Sequence, residues 1–199
     1  MQAHYRTLKT VSLARARTFL EPPTPTLSLQ SAATSFMTDF HTIHPITITS
    51  STNINDALNL MKRAYVRMLL VTNSDRSEFM GIVTATDINS GKVLAYMADN
   101  FLKDRNEVLV SNIMIDKEHI HGLDYEMVAS ASIGDILETI KNLGEQHILV
   151  VDSSEDAFCI RGIFSTTNIA KALHIKFDVE PQAKTFFELE QAILHRQIA

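Results

Sequence analysis

The chain writes one pattern twice. Residues 54–73, INDALNLMKRAYVRMLLVTN, coincide with 133–152, IGDILETIKNLGEQHILVVD, at six of twenty positions. Residues 81–88, GIVTATDI, coincide with 162–169, GIFSTTNI, at four of eight. The offset is 79 residues for the first pair of blocks and 81 for the second, so the second copy holds two more residues in the intervening turn. Two blocks in the same order, with the same apolar pattern and one small length change, predict a duplicated fold.

Each copy reads as β-α-β-β-α. In the first, PITIT (45–49) is a short β stretch. Ile54, Leu58 and Met61 then recur at helical spacing behind Thr52 or Asn53 as cap. RMLLVT and FMGIVT are apolar strands flanking the polar turn NSDRSE. A second helix starts near Thr86–Asp87 and carries Val93, Leu94 and Met97. The second copy offers EMVAS as its first stretch, a helix over 133–143, strands HILVV and FCIRGIF, and a helix from about 167. The expected class is α/β (α+β), since one small sheet with helices on one side leaves a face bare and two such units can cover each other.

The strand-to-helix step, Thr84-x-x-Asp87, admits two readings. The first N–H groups of a helix lack intrahelical partners and carry partial positive charge, so a phosphate sits well there. Thr84 can add a hydroxyl, and the Asp87 carboxylate can accept from vicinal ribose hydroxyls. Ordinary capping accounts for the same residues: Thr84 or Thr86 as N-cap, with Asp87 facing the helix dipole.

These residues resemble a tandem pair of CBS domains, also called a Bateman module, over about 36–175. The resemblance implies two β-α-β-β-α units packed with pseudo-twofold symmetry, and two clefts that take AMP, ADP, ATP or S-adenosylmethionine. By that likeness Thr84 meets phosphate and Asp87 ribose in one cleft, with Thr86 beside them. Ser165, Thr167 and Asn168 stand at the matching positions. Asn168 is a departure, because an amide lacks the charge of a carboxylate, and the Asp87 cleft is therefore expected to be the tighter. Family likeness also puts the segment leading into the first strand against the base, here Ile43, His44 and Ile46. Arg67 and His147, near the starts of cleft-lining strands, are candidates to approach phosphate.

The implied activity is that of a stand-alone regulatory sensor, not an enzyme, that modulates an unidentified protein and forms a homodimer through its helices. The alternative is a structural or oligomerising module with empty clefts. Enzyme signatures are missing, since the six glycines lie too far apart for G-x-G-x-x-G or a P-loop. A net charge of −5 argues against nucleic acid as partner. No apolar run reaches the length of a membrane span, and the expected location is cytoplasmic.

The charge is uneven. Residues 1–20 carry +4 and no acid, leaving −9 for the remainder. Such a start reads as a transit peptide or a basic amphipathic arm, and the arm is the expectation. The expected divisions are an arm and Pro-rich linker at 1–34, units at 35–104 and 105–176, and a C-terminal helical extension at 177–199. Cys159, in an apolar stretch, is expected to be a buried structural thiol. His41, His44, His119 and His121 lack the cysteines and regular spacing of a metal centre.

Overall fold

A computed structural model describes residues 7–18, 20, 27–153 and 158–173. The prolines at 22, 23 and 25 and the C-terminal helix expected over 177–199 lie outside the described residues. Residues 7–18 are exposed and form neither helix nor strand. Among the described residues no helix is long and apolar enough to cross a membrane.

The first unit runs β2 (Thr47–Thr49), α1 (Ile54–Ala64), β3 (Met68–Thr72), β4 (Phe79–Thr84), α2 (Ala85–Asn89) and α3 (Gly91–Asp99). The second runs β6 (Gly122–Asp124), α4 (Tyr125–Ser130), α5 (Ile133–Leu143), β7 (His147–Asp152), β8 (Cys159–Ser165) and α6 (Thr166–Leu173). Helices α1 and α5 form for the same reasons. Asn53 and Ser132 accept the Asp56 and Asp135 amides as N-caps, and Ile54, Ala57 and Met61 or Ile133, Ile136, Leu137 and Ile140 bury one face.

The units exchange edge strands. β1 (Thr38–Asp39) pairs antiparallel with β8, giving the order β1-β8-β7-β6. β5 (Ile115–Asp116) pairs antiparallel with β4, giving β2-β3-β4-β5. Arg161 clasps the first exchange. Its Nε donates to Asp39 at 2.8 Å and its second amino group at 3.1 Å, while Nη1 reaches Asp152 and the guanidinium lies 4.5 Å from the Tyr125 ring centroid.

Strands β3 and β7 are buried on both faces. Leu69 and Val71 enter one core and Ile148 and Val150 another. Met68, Leu70 and Leu149 pack together between the sheets with Phe40, Ile82, Ile120 and Ile163. Alternation along the strands therefore aims His147, two residues from Leu149, at the space between the units.

Four sequence expectations change. EMVAS lies within α4, because Asp124 caps that helix by accepting the Glu126 amide and Val128 fills the core; the first strand is Gly122–Asp124. The helix expected from Thr86 breaks at Ser90, whose extended backbone ends α2 and whose hydroxyl accepts the Lys92 amide to start α3. Packing begins before Ser35: Leu27 and Ala33 join the second unit's core, and Ala33–Ser35 is a short 3-10 turn. Cys159 is exposed, standing at the outer end of β8 where the strand leaves the core.

Candidate functional site

At the first strand-to-helix step, Thr84 is the N-cap and Asp87 closes a reciprocal capping box. The Asp87 amide donates to Thr84 Oγ1 at 3.1 Å, and Asp87 Oδ2 accepts from the Thr84 amide at 3.1 Å and its hydroxyl at 2.5 Å. Lys92 Nζ reaches Asp87 Oδ1 at 2.9 Å, and Asp87 is 8 % exposed. The carboxylate is engaged on both oxygens by its own surroundings. Thr86 is exposed on the same helix.

The second copy is built differently. Thr166 is buried and sends both amide and hydroxyl to the Gln146 carbonyl, as the Ala85 amide reaches Arg67 in the first copy. Ser165 pairs with His147 across the β7–β8 ladder, where Thr84 pairs with Met68. His147 thus stands at the position of Met68, and Arg67 at that of Gln146. Asn168 is exposed, and among the described residues no capping box joins it to Ser165.

Ser165, Thr167 and Asn168 open onto a cavity of about 520 Å³ between the units. Ile43, His44 and Ile46, from the segment before β2, line it too, with exposed Arg67, buried Met68 and half-buried His147. Eight of the sequence candidates meet here, drawn from both copies, whereas Thr84, Thr86 and Asp87 do not line it. Tyr65, Lys171, Thr38 and Phe40 also line the cavity and were not singled out from sequence. Helical spacing could have found Lys171, one turn after Thr167 and Asn168. The repeat offset could have found Tyr65, which stands where the second copy has Gly144.

The cavity lining contains Arg67 and Lys171 and no Asp or Glu. Burial, and secondarily the charge of Arg67, pushes the His147 imidazole down to about 4, so it is neutral near pH 7. The arrangement offers the basic side chains of Arg67 and Lys171, the imidazoles of His44 and His147, hydroxyl and amide groups, and an apolar rim. That set suits an anion carrying a flat apolar group.

A second cavity, of about 240 Å³, shares Met68 and His147 with the first and adds His119, His121, Glu145, Ile82 and Leu149. Among the described residues no three His, Cys, Asp or Glu side chains are grouped to hold a metal ion.

Residues 33–91 match the family model of the CBS domain. No curated protein matches the chain. Among solved structures, the chain is similar to an uncharacterized conserved protein from Pyrococcus horikoshii, with 20% identity and a TM-score of 0.52, over 77% of this chain and 100% of that one. It is similar also to the CBS domain of a bacterial CNNM/CorC family Mg2+ transporter in complex with ATP, with 14% identity and a TM-score of 0.50, over 75% of this chain and 91% of that one. The CBS-domain match thus covers the first unit, and the second unit repeats its β-α-β-β-α order.

Proposed function

We propose that the chain is a regulatory sensor that binds an adenine nucleotide between its two units and signals occupancy to a partner protein in the cytoplasm. The observation that carries this reading is the cavity lining: Arg67 and Lys171 without a carboxylate, beside Ser165, Thr167 and Asn168 at the start of α6. Phosphate oxygens would take the cations and the helix N-terminus. The Asn168 amide would meet the ribose, and the base would lie against Ile43 and Ile46. S-adenosylmethionine brings a sulfonium and an ammonium and suits this lining less well than AMP, ADP or ATP. A CBS domain of similar fold has been solved with ATP, which supports the class of ligand. In this reading the Asn168 side is the nucleotide site, and the Thr84–Asp87 step is its structural counterpart. The assembly proposed is a homodimer, for which Leu94 and Met127, exposed on α3 and α4, offer apolar surface; light scattering at micromolar concentration tests it.

Calorimetric titration tests the ligand. Adenine nucleotides should bind in the micromolar-to-millimolar range, about −4 to −8 kcal/mol. ATP should bind more tightly than AMP, and Arg67→Ala with Lys171→Ala together should abolish ATP binding. If no nucleotide binds below about millimolar concentration, the structural-module reading replaces this one.

A further inference from the structure

Helices α1 and α5 end at equivalent positions, each one residue into the left-handed region. For α5 that residue is Gly144, at φ 67° and ψ 24°. For α1 it is Tyr65, at φ 55° and ψ 33°. Glycine takes this backbone freely, whereas an L side chain is strained by its Cβ against the neighbouring carbonyl. The Tyr65 side chain gains little from packing in return, because the residue is 97 % exposed. The first copy therefore keeps a strained, solvated aromatic where the second uses the residue best suited to the turn.

Its position gives the strain a use. Tyr65 lines the rim of the 520 Å³ cavity with Ile43 and Ile46, which are themselves 55 % and 38 % exposed. Three large side chains thus leave apolar surface in water around one opening, while the cations Arg67 and Lys171 also line it. A ligand with a charged end and a flat apolar end would cover the rim and satisfy the cations together.

We infer that Tyr65 is a specificity-determining residue that stacks on the purine of the bound nucleotide and holds it against Ile43 and Ile46. The inference rests on the nucleotide reading above and adds the residue that distinguishes a nucleotide from a bare polyphosphate. Stacking on an aromatic side chain is sequence-tolerant and strong enough to matter for one base.

The experiment compares the parent protein with Tyr65→Gly, Tyr65→Phe and Tyr65→Trp, using ATP and inorganic triphosphate as probes. Tyr65→Gly should melt about 2–4 °C higher without ligand, as the turn relaxes. It should bind ATP about 5- to 100-fold more weakly and bind triphosphate as the parent does. Tyr65→Phe should bind ATP like the parent. The chain has no tryptophan, so Tyr65→Trp supplies a sole indole, whose fluorescence ATP should quench and triphosphate should not. Equal ATP affinity in Tyr65→Gly and the parent, equal loss of both probes, or an indole indifferent to ATP would each overturn the assignment while leaving the nucleotide site in place. A parent protein that binds neither probe overturns the site and the stacking residue together.

Discussion

Asp87 accepts from the Thr84 amide and hydroxyl and pairs with Lys92, so Asp87→Ala removes the acceptor for a half-buried backbone donor and leaves Lys92 without its partner. The expected cost is about 1–3 kcal/mol, seen as a melting temperature several degrees lower without ligand, and ATP affinity should hardly change. Unchanged melting together with lost binding would restore the ribose role that the sequence alone suggests for this carboxylate. His147 gives a pH signature. Its imidazole titrates near 4 in the folded protein against 6.5 unfolded. Above pH 6.5 both states are neutral. Between 6.5 and 4 only the unfolded chain gains the proton, so stability falls as pH drops through that window, by up to about 3 kcal/mol. His147→Met, which copies the residue of the first unit, should flatten this part of the stability profile measured by urea unfolding at pH 7 and pH 4.5. Parallel profiles for the two proteins would contradict the depressed value.

At the scale of elements, the glycine that opens both GIVTATDI and GIFSTTNI has a packing reason. A Cβ on Gly81 would lie 2.1 Å from the Ile115 carbonyl oxygen, and one on Gly162 would lie 2.6 Å from that of Thr38. Each glycine admits the exchanged edge strand, β5 on β4 and β1 on β8. Gly81→Ala must push β5 away and should destabilise by about 1–3 kcal/mol, with the amide of Ile82 becoming exchangeable, as hydrogen exchange would show; an unshifted melting curve would mean that the strand is dispensable. The repeat, helices α1 and α5 and the four long strands were legible in sequence, because Ile54, Leu58 and Met61 recur at helical spacing, the block is written twice, and β3 and β7 are apolar runs. The exchange was not legible. β1 and β5 are two residues each, too short for periodicity, and their partners lie across the other unit. EMVAS misled because its local pattern fits a strand, whereas the Asp124 cap and the burial of Val128 decide for a helix.

For the whole molecule, the same separation explains the site. Eight candidate side chains could be named one by one, but their meeting in one cavity joins residues 43–67 of one unit to 147–171 of the other, and no local spacing records that contact. The cavity therefore ties ligand binding to the docking of the units. Where a ligand binds only the folded, docked protein, a concentration of 100 times its dissociation constant stabilises by about 2.7 kcal/mol. At about 2–4 °C per kcal/mol for a chain of this size, ATP should raise the melting temperature by several degrees. A ligand held by both walls should move the whole transition as one. Arg67→Ala lies on the first unit and Lys171→Ala on the second, yet each should reduce the same shift, and the pair together should abolish it. Scanning calorimetry decides this. Two resolved transitions of which ATP moves only one, or a shift that survives both substitutions, would place the ligand within a single unit and separate nucleotide binding from the junction between them.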